Sequence, residues 1–180
     1  LVQRGLIDDA QLQRALNAQL VYGGHLGTCL IEQGFLGEHD LGEALADIYG
    51  FPYATVEIMQ DIPGPVIECV PRKIVEKHCV VPLRIDNGAL DVAMIDPKNI
   101  PGLDEVAFAT GLRTNPWVAP EIRIFQAMER YYGVPRRLRF IALCRELDRE
   151  QPFKPPTDVE IRSTSRPNEP RKPEDSGEVI

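Results

Sequence analysis

The sequence predicts an α+β fold: a duplicated helix-pair unit, then a small ββαβα unit, then a disordered C-terminal tail. Three observations carry this. Residues 1–19 reappear, shifted by 29, as residues 30–48, with Leu1, Gly5, Leu12, Ala15 and Leu16 recurring unchanged as Leu30, Gly34, Leu41, Ala44 and Leu45. Asn87-Gly88 separates two alternating apolar runs, as a tight hairpin requires. From Pro152 to Ile180, six prolines and alternating charges replace the apolar residues that a core needs.

In the second repeat, Leu26, Leu30 and Ile31 predict a short helix over 26–33, closed by Gly34. Leu41, Ala44, Leu45 and Ile48 follow at i, i+3, i+4 and i+7 until Gly50 and Pro52, which predicts a second helix packed on the first. The first repeat has the same plan. Leu1 and Val2 end a helix at Gly5, and Asp8 with Gln11 reads as a capping box before Leu12, Ala15 and Leu16. Tyr22, Gly23 and Gly24 form a flexible joint, so residues 1–53 make the duplicated unit.

Residues 54–65 contain Pro and Gly with little periodicity and read as a crossing linker. The second unit spans 66–133. Helical turns are expected from Pro65 to His78. Counting outward from Asn87-Gly88 pairs Ile85 with Leu90, Leu83 with Val92 and Val81 with Met94 on one face, and Arg84 with Asp91 on the other. A helix over about 103–110 should stop at Gly111, and a strand over about 112–118 should join the hairpin. Pro120 suits the first turn of a closing helix with an Ile124, Phe125, Met128 and Tyr132 stripe that ends at Gly133. Residues 134–150 read as a basic amphipathic helix carrying Leu138, Ile141, Cys144 and Leu147, with a membrane surface as one expected resting place. Residues 151–180 are the expected disordered tail.

The chain has 180 residues, 43% of them apolar, and a net charge of -7. That charge argues against DNA or RNA as partners, since phosphate contacts need clustered Lys and Arg. Four cysteines and three histidines are scattered without paired spacing, which predicts reduced thiols in a cytoplasm and no metal site. No apolar run is long enough to cross a bilayer. Because the sequence opens on Leu1 rather than Met, a fragment or trimmed product is expected. Phosphate loops, nucleophile elbows, zinc-helix motifs and dinucleotide-binding glycine patterns are all missing, so no enzyme and no cofactor is expected. Asp8/Asp9 and Asp104/Glu105 read as helix-start residues.

The string His25-Leu26-Gly27-Thr28-Cys29-Leu30-Ile31-Glu32-Gln33-Gly34-Phe35-Leu36, followed by Leu41, Leu45 and Gly50-Phe51-Pro52-Tyr53, resembles half of a tandem motif. The motif belongs to the N-terminal (MshEN-type) domain of type II secretion and type IV pilus assembly ATPases. Val81-Pro82-Leu83, Val92 to Pro97, Thr110-Gly111-Leu112 and Tyr131-Tyr132-Gly133 extend the resemblance over about residues 1–133. Some members of that family bind cyclic di-GMP across the two repeats, and others dock on a protein of the secretion machine at the cytoplasmic face of the inner membrane.

The resemblance implies ligand-facing roles for Leu6, Leu12, Leu16 and Gln19 in the first copy. In the second it implies them for His25, Leu26, Gly27, Gly34, Phe35, Leu41 and Leu45, with Asp96 as a polar contact from the second unit. His25 stands where the motif has Arg, Ile48 where it has the second Gln, and the first copy lacks its Arg-Leu-Gly because the sequence starts too late for it. Loss of those polar groups favours a non-catalytic module, a stand-alone or degenerate copy of the regulatory domain, that docks a protein partner of a secretion or pilus system. A cyclic di-GMP receptor is the alternative.

Overall fold

The computed structural model describes residues 1–150, 152 and 153. After a short 3-10 turn at Val2–Arg4, α1 (Asp9–Tyr22) starts with the expected capping box: Asp8 Oδ1 accepts from Gln11 N at 2.7 Å and Gln11 Oε1 from Asp8 N at 2.8 Å. Asp8→Ala should therefore cost about 1 kcal/mol in a denaturant melt, and an unchanged midpoint would show that the cap adds nothing. The repeat's second copy gives α2 (Leu26–Glu32) and α3 (Glu38–Tyr49). Gly34, just past α2, has φ of 67° and Gly50 ends α3 at 77°, the left-handed stops expected of them.

Helix α4 (Val56–Gln60) lies inside the segment expected to be a crossing linker, and it buries Val56 and Met59. Its five residues are too few to show a helical period, which is why the sequence pattern does not reveal it. Two more short helices follow, α5 (Gly64–Cys69) and α6 (Arg72–His78). They lead into strands β1 (Val80–Asp86) and β2 (Ala89–Met94), joined by Asn87 and Gly88 at φ of 48° and 72°, values that a type I′ turn demands of both positions.

Pairing of β1 with β2 is antiparallel. Ile85 faces Leu90 and Arg84 faces Asp91, as expected, but the remaining register is corrected by one residue. Val81 pairs with Ala93 rather than Met94, and Val92 faces Pro82 rather than Leu83, because Leu83 is the extra residue of a bulge. Pro82 has no N–H to give to the ladder, and bulges and prolines are tolerated on edge strands. β1 is such an edge in the sheet order β1-β2-β3.

Helix α7 (Ile100–Thr110) crosses over to β3 (Arg113–Val118), which lies parallel to β2. Asn99 caps α7 through Gly102 N, which places its start three residues before the expected 103. Asp104 and Glu105 are accordingly in the second turn, not at the helix start; Glu105 accepts from His78 Nε2 at 2.7 Å and Lys77 Nζ at 2.5 Å, tying α7 to α6. β2 is buried along its whole length. It forms the centre of a core with Val75, Val80, Val106, Ile124, Met128 and Tyr131.

Helix α8 (Glu121–Tyr132) closes this unit and α9 (Leu138–Glu150) follows. The apolar face of α9 is not free for a membrane surface: Phe140, Leu143, Cys144 and Leu147 are buried in a second core with Ile7, Leu30, Leu36, Leu41 and Ile122. Among the described residues no helix is long and apolar enough to cross a membrane. Of the expected disordered tail, Pro152 and Phe153 are held: the Pro152 carbonyl accepts from Gln60 Nε2 at 2.7 Å, and Phe153 packs on the first core beneath Arg130. Residues 151 and 154–180 lie outside the described residues.

Candidate functional site

The first turn of α2, one face of α3, and the loops leaving β2 and β3 enclose a cleft of about 170 Å³. His25, Leu26, Gly27, Leu41 and Leu45 line it, joined by Thr28, Tyr49, Ile95, Ala119, Pro120 and Glu121. Two close approaches set its shape. A Cβ on Gly27 would come within 2.8 Å of Leu41 Cδ2, so glycine lets α2 lie this near α3 without moving the Leu41 side chain. One on Gly42 would fall 2.2 Å from Tyr53 Cζ; that ring sits under α3 while its backbone pairs with Val118 at the end of β3. Helix α3 is thereby fixed against the sheet.

The cleft has an apolar floor and one buried carboxylate. Glu121 Oε2 accepts from Thr28 Oγ1 at 2.7 Å and from His25 N at 3.2 Å, which joins the start of α8 to the start of α2. Removing it leaves a buried hydroxyl and an N–H unsatisfied, so Glu121→Ala should cost about 1–3 kcal/mol of stability by chemical denaturation, and a loss below a few tenths would refute the contact's importance. At the rim, Lys98 Nζ lies 5.6 Å from the Tyr49 ring centroid. Burial, reinforced by the Asp96 carboxylate, raises the Tyr49 hydroxyl above its usual range and keeps it a neutral donor.

Five of the twelve residues expected at the site therefore meet in one cleft, and seven do not. Leu6, Leu12 and Phe35 pack against the second core. Leu16 is half-buried on α1. Gln19 Nε2 donates to the Gly24 carbonyl at 2.9 Å, so its amide closes the joint between the repeats. Gly34 lines a different hollow, of about 290 Å³, with Ile31, Leu36, Glu38, Leu143 and Leu147. Asp96 is exposed in the turn after β2, accepting from Lys98 N, and bears on the cleft through its field at Tyr49.

Thr28, Tyr49 and Glu121 are the polar lining that the motif does not name. Tyr49 was visible as the next step of the stripe from Leu41 and Leu45, four residues on; Glu121 had no signal beyond its place after Pro120. No group of three or more potential metal ligands occurs among the described residues.

The MshEN domain family matches residues 49–138. The type IV pilus assembly ATPase PilB of Myxococcus xanthus is 38% identical over 133 residues, covering 74% of this chain and 23% of that protein. Type II secretion system protein E of Xanthomonas campestris pv. campestris is 28% identical over 139 residues, covering 76% of this chain and 24% of its own length. The chain thus spans less than a quarter of either relative. Among solved structures, MshE with cyclic di-GMP superposes with a TM-score of 0.56 at 27% identity, over 73% of this chain and 95% of that one.

Proposed function

The chain belongs to the MshEN domain family, and from that we propose that it is a non-catalytic module that docks a protein of a type II secretion or type IV pilus machine at the cytoplasmic face of the inner membrane. What carries this reading is where the first repeat spends its side chains. None of Leu6, Leu12, Leu16 and Gln19 lines the cleft, and the Gln19 amide is taken by the Gly24 carbonyl, so the first copy offers that cleft no side chain to grip a dinucleotide. Affinity capture with the whole chain from a bacterium that builds such a machine tests it. An inner-membrane component of the machine should be enriched, and recovery of none would overturn the proposal.

The second reading, a cyclic di-GMP receptor, is supported by the cleft of the second repeat and by the likeness to MshE solved with that ligand. His25 is the weak point, because an imidazole replaces the charged fork that suits a guanine edge. Calorimetry decides it: heat on adding cyclic di-GMP that grows tighter by roughly tenfold in His25→Arg supports the receptor, a gain of about the 1.4 kcal/mol that such a donor can add. No heat at millimolar ligand ends it.

A further inference from the structure

Helix α1 ends in three consecutive exposed apolar side chains, Leu20 at 85%, Val21 at 73% and Tyr22 at 70% exposure, and α9 begins with Leu138 at 86%. The two helix ends are 116 residues apart in sequence and meet in space. Arg139, the neighbour of Leu138, stacks on the Tyr22 ring at 5.5 Å and donates to the Tyr22 and Gly23 carbonyls at 3.1 and 2.8 Å. These four apolar side chains stand in solvent at one junction, and clustered exposed apolar residues of this kind mark interaction sites.

This is a braced projection rather than a fraying helix end. Glu32 grips Arg139 through both carboxylate oxygens, Gly23 N closes on Gln19 O at 2.8 Å, and the Gln19 amide holds the Gly24 carbonyl. The Gln19 and Tyr22 carbonyls at the end of α1 are thus satisfied while its last apolar residues stay in solvent.

Among the described residues one unpaired arginine stands at the rim of this surface, on a chain whose net charge is -7. Arg137 is exposed, lies 5.7 Å from the Phe125 ring, and makes no ion pair among the described residues. The N-terminus of α9 adds its positive dipole end beside it. The carboxylate of the junction, Glu32, is already taken by Arg139. A twofold contact between copies would bring Arg137 toward its own symmetry mate, whereas an acidic partner would neutralise it.

We propose that Leu20, Val21, Tyr22 and Leu138, with Arg137 at the rim, form the docking surface for an amphipathic helix of the protein partner, one with an apolar stripe flanked by carboxylates. Tyr22 and Leu138 are its anchors. The inference rests on the protein-docking reading above. It also places the partner next to the cleft, since the joint that braces the surface runs directly into His25.

Fluorescence anisotropy of the whole chain with two synthetic amphipathic helices, one with a leucine stripe flanked by Glu and the other flanked by Lys, tests the surface. The Glu helix should bind and the Lys helix should not. Leu138→Glu should weaken binding at least tenfold, and Arg137→Glu should shift preference toward the Lys helix; both positions are exposed, and unchanged thermal melts will show that neither variant unfolds. Equal binding of the two helices, or indifference to Leu138→Glu, overturns the proposal. So does a dimer in sedimentation velocity, or flotation with phosphatidylglycerol vesicles, that Leu138→Glu abolishes, since the surface would then belong to a second copy or to lipid. The affinity capture separates the two levels: a secretion component retained equally by wild type and Leu138→Glu refutes this surface and leaves the docking reading intact. Its absence from both, with the Glu helix still bound, does the reverse.

Discussion

Replacing Arg123 with Ala is expected to lower stability by about 3–5 kcal/mol, because it strands a buried carboxylate without its cation. Arg123 is 1% exposed. Its Nε and Nη2 meet both oxygens of Glu38 at 2.6 and 2.7 Å, and Nη1 donates to Asp148 Oδ1 and Gln126 Oε1, each at 2.6 Å. One side chain of α8 thus joins the first residue of α3 to the last turn of α9. Burial alone would pull the guanidinium down, but the bonds and charges of Glu38 and Asp148 more than offset it and hold Arg123 above its usual range.

The geometry also separates two explanations of the loss. Arg123→Lys keeps the charge and loses the planar fork, so it should recover only part of the stability. Removing the buried pair with Arg123→Met and Glu38→Leu should cost less than Arg123→Ala alone, since the carboxylate left without its cation is then only Asp148, which is partly exposed and still bonded by Gln126 Nε2. Urea unfolding measures all three. A loss under 1 kcal/mol in Arg123→Ala would mean that the network only decorates the junction.

The local elements were legible because their causes are local. Asn87-Gly88 forms its turn, Asp8 and Gln11 cap α1, and Gly34, Gly50, Gly111 and Gly133 stop helices, each through chemistry within a few residues. What went unread depends on distant partners. Pro82 shows that β1 has an irregularity, but only the pairing shows that Leu83 is the extra residue. Arg123 looks like a surface arginine of an amphipathic helix until α3 and α9 enclose it.

The site divides in the same way. The duplicated leucines and glycines encode two similar helix pairs, yet the second sheet unit covers only one of them. Leu41 and Leu45 therefore face a cleft closed by Ala119 and Pro120, while their first-copy counterparts Leu12 and Leu16 do not line it. A repeat in sequence does not carry the environment of each copy, and the ligand-facing role depends on that environment.

Phe140→Ala is the second large effect expected, and it tests what α9 is for. Phe140 is 1% exposed and packs on Phe125 with ring centroids 5.6 Å apart, so its loss should cost about 3–5 kcal/mol. The pattern of that loss matters more than its size. Phe140, Leu143, Cys144 and Leu147 belong to the core of the repeats and not to the core around the sheet, so the damage should be uneven. By hydrogen exchange, amides of α2 and α3 should lose protection while those of β2, buried along its whole length in the other core, keep most of theirs. The amphipathic pattern of α9 suits a membrane surface and a protein interior equally; only the identity of the surface beneath it decides. Equal loss of protection in α3 and β2 would show one cooperative unit and refute a selective role for α9. Uneven loss would make α9 the structural floor on which the two repeats rest.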